Sequence, residues 1–256
     1  MNDPKNLIYD GSFNGFLTAV FTAFDNNLNV VGIQKNSETQ RGLFADTETI
    51  FTDIDKAKRV WNGISMKSNV AIKSIYFSFL SETRGIELLL FRYIKNMFSN
   101  KPVQLHNWEE NTNKIDYLTK LVGREKGRTE ASIRFHPTPD GIQFVALSPD
   151  FNILPLISKY FKSNMKGQPW VIYDVRRKYG LYYNLRTIEM ISLHPHNMAT
   201  KSSLKNMGTD SLNHSSDNLW NSYFKTTPIM SALSRKLQES EAPAKRWGYF
   251  NQKAAV

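Results

Sequence analysis

Three clusters in the sequence place positive charges beside aromatic side chains, a combination typical of proteins that hold nucleic acid. Lys and Arg neutralise backbone phosphates, whereas Tyr and Trp stack on unpaired bases. The alternative for each cluster is a solvated charged turn. Because three such clusters occur in one chain, we expect them to include phosphate contacts. The clusters are Arg124, Lys126, Arg128 and Arg134; Arg176, Arg177, Lys178 and Tyr179; and Lys245, Arg246 and Trp247.

Two carboxylates are the candidates for acid–base chemistry. Asp10 follows a predicted strand and precedes a predicted helix, where helix caps and catalytic acids both occur. Asp174 ends an apolar strand beside Arg176 and Arg177, so an ion pair is the structural alternative. Enzymes that flip bases out of DNA often activate water with a carboxylate. If the protein is such an enzyme, the sequence predicts that Asp10 or Asp174 activates the water.

Other kinds of chemistry have little support in the sequence. The chain has no cysteine, which excludes disulfides, thiolate catalysis and iron–sulfur clusters held by its own cysteines. His194 and His196 have ligand-like spacing but no acidic companion nearby, so we predict no metal site. The glycines at 123 and 127 lack the spacing of a phosphate-binding loop. We therefore predict no cofactor.

The net charge of +10 is unevenly distributed along the 256 residues. Residues 1–119 hold 13 Lys/Arg and 13 Asp/Glu, whereas residues 120–256 hold 20 and 10. Such asymmetry favours a polyanionic partner, and ordinary solubility is the alternative. The sequence starts with no basic-then-apolar leader, and stretches such as Ile86–Phe91 are too short for a membrane span. We therefore expect a cytoplasmic protein that does not contact a membrane.

Hydrophobic periodicity predicts the elements that must position these residues. In the first half, a strand at Asn6–Asp10 precedes a helix with an apolar stripe from Phe13 to Phe24, capped by Ser12 or Asp10. A short strand at Val30–Ile33 follows. Helices are then predicted from Thr52 or Asp53, across 66–98 with a break at 81–85, and over Asn111–Arg124.

The second half changes to strand patterns. A hairpin is predicted from Glu130–His136 and Ile142–Leu147, then a helix from Asp150, then strands at Trp170–Asp174 and from Gly180. We expect the α+β class, with a helical N-terminal half packed on a small antiparallel sheet. The predicted domain covers residues 1–194, a polar linker covers 195–217, and a C-terminal helical pair covers 218–256.

Several short strings, in this order, resemble a bacterial family of unknown function whose members are described as DNA metabolism proteins. The resemblance covers about residues 6–187 and 218–250. The tail departs from the family pattern after Ile229. The matching strings are YDGSF at 9–13, GFLTAVF at 15–21, FLSE at 79–82, GIE at 85–87, VGRE at 122–125, PD at 149–150, WVIYD at 170–174 and LW at 219–220.

The resemblance implies a role in DNA repair or modification. In that family the gene lies beside one for a radical-SAM protein of DNA modification or repair, and some chains are fused to a uracil-DNA glycosylase. The leading hypothesis is a DNA-binding accessory protein of such a radical-SAM partner. One alternative is a glycosylase-like or nuclease-like enzyme that uses Asp10 or Asp174. The other is a protein-only adaptor that docks through Trp220 and Trp247.

Overall fold

The computed structural model describes residues 3–36, 46–99, 105–138 and 140–192 of the chain. These residues fold into six helices and eight strands, which confirms the α+β class. The chain divides into two compact units, Met1–Arg124 and Glu125–Val256. The predicted linker, the predicted C-terminal helical pair and the residues Lys245, Arg246 and Trp247 lie outside the described residues.

Strands and helices alternate at the start of the first unit, and helices follow. The helix starts follow from polar caps: the Ser12 side chain accepts from Gly15 N, and the Asp53 side chain accepts from Asp55 N and Lys56 N. The bounds are β1 Pro4–Tyr9, α1 Phe13–Asp25, β2 Asn29–Lys35, β3 Asp46–Thr49, α2 Ile54–Lys67, α3 Asn69–Leu80, α4 Ile86–Phe98 and α5 Leu105–Ser132.

The three strands of this unit form one parallel sheet in the order β2-β1-β3. The sequence predicted β1 and β2, but not β3 and not their pairing. Helix α1 follows β1 and is buried along most of its length. Its Phe13 ring packs against Trp61 of α2 and against Tyr76 and Phe79 of α3. The predicted break between α3 and α4 is confirmed, with Gly85 in a left-handed conformation before α4.

The second unit is built on a five-stranded sheet in the order β4-β5-β6-β7-β8. Helix α6 connects β5 to β6, so these two strands run parallel, whereas the other neighbours are antiparallel. One face of the sheet packs on α6 through Val145, Ile157, Phe161 and Trp170. The bounds are β4 His136–Pro137, β5 Gln143–Leu147, α6 Leu154–Asn164, β6 Trp170–Asp174, β7 Tyr179–Tyr183 and β8 Ile188–Ile191.

Two details of the predicted sheet are wrong. The strand predicted from Glu130 begins only at His136, because α5 continues to Ser132 with a Lys126–Glu130 ion pair one turn apart. The sheet also contains one parallel pair, because a helix returns the chain to the same end of the sheet before β6. Among the described residues, every helix is too short or too polar to cross a membrane.

Candidate functional site

Residues 149–152, called the 149–152 loop below, leave the carboxyl end of β5 and lead into α6. The buried Glu125 side chain of α5 binds this loop with both oxygens. Its Oε1 accepts from Asp150 N at 2.8 Å and its Oε2 accepts from Phe151 N at 2.9 Å. Since β5 and β6 are parallel and pair Leu147 with Asp174, the loop and the β6–β7 turn lie at the same edge of the sheet.

Arg177 in the β6–β7 turn holds the carbonyl side of the loop. Its guanidinium donates to Pro149 O at 3.1 Å, to Asp150 O at 2.9 Å and to Asp174 Oδ2 at 2.9 Å. Its main-chain nitrogen donates to Asp174 Oδ1 at 3.0 Å. Asp174 is fully buried and only 12% of the Arg177 side chain is exposed. The ion pair therefore positions the loop.

Burial dominates the ionisation of Asp174. Removal of the carboxyl from water raises its pKa above the ordinary value, and the hydrogen bonds from Arg177 oppose part of that rise. The structure thus gives Asp174 the ion-pair role that the sequence offered as the alternative to catalysis.

Three exposed cations lie on the elements that hold the loop, and we call Arg128, Arg176 and Lys178 the basic rim. Arg176 Nη1 lies 3.2 Å from Asp150 Oδ1, and 57% of its side chain is exposed. Arg128 is exposed on α5, with Nη2 at 3.9 Å from Glu125 Oε1. Lys178 is exposed at the tip of the turn, where its φ of 59° lies in the left-handed region. The structure thus places three of the predicted phosphate-binding residues on the elements that hold the 149–152 loop.

The other predicted contact residues have different environments. Arg124 and Arg134 are exposed, and neither side chain has a hydrogen bond or ion pair within the described part of the chain. Lys126 binds Glu130 at 2.7 Å. The Tyr179 hydroxyl donates to Asn152 Oδ1, so it supports the 149–152 loop. Of these four residues, Arg124 and Arg134 remain candidates for phosphate contacts.

Asp10 lies in the first unit, at the carboxyl end of β1. Its Oδ1 accepts from Ser12 N at 2.9 Å and from Ser12 Oγ at 2.6 Å, and its Oδ2 accepts from Thr52 Oγ1 at 2.8 Å. Ser12 is the residue that caps α1. Gly15 lets the helix pack on Asp10, because a Cβ there would lie 2.2 Å from Oδ1. The result is an exposed carboxylate with a fixed orientation.

A buried acid beside this edge was not selected from the sequence. Glu87 of α4 accepts from the Tyr9 hydroxyl at 3.1 Å, and Lys35 Nζ lies 4.0 Å from the same oxygen. Glu125 was likewise not selected. Its signal was present, since Ile115, Val122 and Glu125 share one helix face, where a charged side chain continues an apolar stripe. A charge on a buried stripe indicates a specific partner.

No group of three or more His, Asp or Glu side chains within the described ranges could hold a metal ion. His194 and His196 lie outside those ranges. Neither the basic rim nor the Asp10 edge contains histidine. The groups available at the two places are therefore cations, carboxylates, hydroxyls and amides.

Together, the fold and the rim define an α+β protein with a basic surface built on a clamped loop. Residues 84–251, more than half of the chain, match the model of a family described as a domain of unknown function, DUF4130. The chain belongs to this family. The matched range contains the 149–152 loop and the basic rim, and it begins after Asp10 and Thr52. No curated protein matches the sequence.

Proposed function

We propose that the protein binds DNA through the basic rim and serves DNA repair or modification as an accessory protein. The observation that carries the proposal is the placement of Arg128, Arg176 and Lys178 on the elements that hold a loop fixed by buried side chains. A cation on a rigid support loses little conformational freedom when a phosphate binds. Phosphate contacts of this kind position a protein on DNA without reading its sequence.

The exposure of the rim also supports this proposal. An exposed ion pair such as Arg176–Asp150 contributes little to stability, so a phosphate can replace the carboxylate at low cost. Arg177 differs, because its donors are engaged by Asp174 and by the loop carbonyls. The proposal therefore assigns DNA contact to Arg176 and support to Arg177.

The salt dependence of DNA binding tests the proposal. If about six phosphates are neutralised, log K should fall against log salt with a slope near −5. The double variant Arg176→Ala/Lys178→Ala should make this slope shallower by about 2. The matched control is Lys159→Ala/Lys166→Ala, which removes the same charge from exposed sites on and just after α6. If both variants change the salt slope equally, the rim contributes only through the net charge and makes no specific phosphate contacts. No DNA binding at low salt would refute the proposal.

We further propose that the protein acts with a radical-SAM protein of DNA modification or repair, the partner that the family resemblance implies. Co-purification of the two proteins, with and without DNA, tests this partnership. A complex that forms without DNA, in a chain that fails to bind DNA, would instead support the protein-only adaptor.

A DNA-acting enzyme is the second candidate function. The observation that favours it is the exposed Asp10 carboxylate, held by Ser12 and Thr52 at the end of β1. Asp174 is the weaker of the two predicted catalytic acids, because it is buried and bound to Arg177. Asp10→Asn should then abolish turnover of a DNA substrate while DNA binding persists.

A further inference from the structure

The parallel sheet of the first unit has a topological switch point at its central strand. From β1 the chain passes through α1 to β2 on one side, and β3 then pairs on the other side. In open parallel sheets, the crevice at the carboxyl ends of such strands is where ligands bind. Asp10 follows β1 and Thr52 follows β3, and their side chains meet at 2.8 Å.

The charge at this edge decides what kind of ligand fits. The positive end of α1 already faces the Asp10 carboxylate, which accepts two hydrogen bonds from the capping residue Ser12. A phosphate at the same place would meet that negative charge. The edge therefore suits an uncharged ligand whose hydroxyl or aromatic amino groups donate hydrogen bonds, because a carboxylate accepts them.

A side-chain amide without a protein partner in the described residues lies beside this edge. Asn14, in the first turn of α1, is only 6% exposed. Within the described residues, its one hydrogen bond beyond the helix ladder joins its main-chain oxygen to Thr18, so its carboxamide has no partner there. The amide atoms of Asn14 are not sealed from solvent, so a ligand at this place can reach them.

The helix geometry directs Asn14 towards this edge. Thr18, one turn later on the same face, hydrogen-bonds the main chain of Asp53 at 3.0 and 3.2 Å. That face of α1 therefore lies against the segment that carries Thr52. Side chains on a helix tilt towards its N-terminus, and the N-terminus of α1 is at the carboxyl edge of the sheet.

An exposed aromatic ring completes the set. Phe51 directly precedes Thr52 and is 84% exposed. Aromatic side chains beside hydrogen-bonding groups are how proteins hold unpaired bases, since a base can stack on the ring whatever its sequence.

We propose that this edge binds a nucleoside, with Asp10 accepting from its donor groups, Asn14 binding a second polar group and Phe51 stacking on the base. The choice of a nucleoside among uncharged, donor-bearing ligands rests on the proposed DNA function. The site gives that function a place for an unpaired base, separate from the phosphate contacts of the rim.

Titration of the full chain with the four deoxynucleosides, followed by calorimetry or ligand-observed NMR, tests the inference. We expect at least one nucleoside to bind, and Phe51→Ala to weaken it by about tenfold. Met66→Ala is the matched control, because Met66 is also an isolated exposed apolar side chain, 88% exposed, at the far end of α2. Asp10→Asn should weaken binding by about tenfold or more, and Asp55→Asn should leave it unchanged.

The outcomes for the two proposals can be told apart. A nucleoside carries no phosphate, so Arg176→Ala/Lys178→Ala should weaken DNA binding and leave nucleoside binding intact. If no nucleoside binds while DNA binding keeps its salt slope, this inference fails and the DNA proposal stands. If nucleosides bind equally to the wild type, Phe51→Ala and Asp10→Asn, the site is elsewhere and the inference is wrong.

Discussion

Adjacent arginines in the β6–β7 turn illustrate how burial separates support from binding. The Arg177 guanidinium donates hydrogen bonds to the buried Asp174 carboxylate and to two loop carbonyls, whereas Arg176 pairs with an exposed carboxylate. The two side chains have the same chemistry and differ by one position. Replacing each in turn therefore separates the cost of a lost structural contact from the cost of a lost surface charge.

Arg177→Ala should destabilise the protein by about 3–5 kcal/mol, because it leaves the buried Asp174 carboxylate without its partner. Arg176→Ala should change the free energy of unfolding by less than about 1 kcal/mol. Urea unfolding followed by tryptophan fluorescence measures both, since Trp170 is buried in this unit. Equal costs for the two variants would contradict the roles assigned here.

The destabilisation by Arg177→Ala should depend on pH. Burial raises the folded pKa of Asp174 above its unfolded value, so the folded state binds more protons and this group's contribution to stability falls as pH rises through that range. Without Arg177 the pKa of Asp174 rises further, because burial is then unopposed by that guanidinium. We therefore expect Arg177→Ala to cost less near pH 4, where the carboxyl is partly neutral, than at pH 7. If Arg177→Ala destabilises the protein equally at pH 4 and pH 7, the charge of Asp174 is not the cause of the destabilisation.

Two glycines in helices differ in what surrounds them. A Cβ on Gly15 would lie 2.2 Å from Asp10 Oδ1 and 2.9 Å from Thr52 Oγ1, whereas a Cβ on Gly127 in α5 would meet nothing within 4 Å. Gly127→Ala should stabilise the protein by about 0.5–1 kcal/mol, the usual gain in a helix interior. Gly15→Ala should instead destabilise it by about 1–3 kcal/mol through overpacking. Thermal unfolding of both variants checks the pair, and a gain from both would mean that Asp10 moves freely.

At the scale of elements, local patterns in the sequence predicted most helices and several strands. The stripe from Phe13 to Phe24 gave α1, and the Asp53 cap gave the start of α2. Strand β3 was missed because its residues, DTET, are polar and do not alternate. Its existence depends on pairing with β1, a contact between residues about 40 positions apart.

The site was predictable only in its charged residues. The Arg176–Lys178 cluster was visible in the sequence, but its support was not, because Glu125 and Asp150 are brought together by the fold. The register of β5 against β6 decides that Asp174 meets the 149–152 loop. The edge containing Asp10 and Thr52 depends in the same way on a parallel pairing that no local pattern specifies.

At the scale of the molecule, the structure shows how much of the positive charge in the second unit is already paired with acids. Residues 125–192 hold ten Lys/Arg and six Asp/Glu. Four of the ten pair with acids of the same unit: Lys126 and Arg177 at sites that are mostly buried, and Arg128 and Arg176 at exposed ones. Lys162 donates to Arg186 O. The positive charge that is available to a polyanion without breaking an ion pair is therefore smaller than the composition indicates.

The left-handed backbone of Lys178 lowers the stability of the fold, while the charge of its side chain supports the proposed DNA binding. A residue with a Cβ pays roughly 1 kcal/mol for this conformation, which glycine adopts without strain. Lys178→Gly should therefore raise the free energy of unfolding by about 1 kcal/mol and make the salt slope of DNA binding shallower by about 1. Denaturant unfolding and a salt titration measure the two effects. A variant that gains stability and loses affinity would show that this position retains its charge at the expense of the fold.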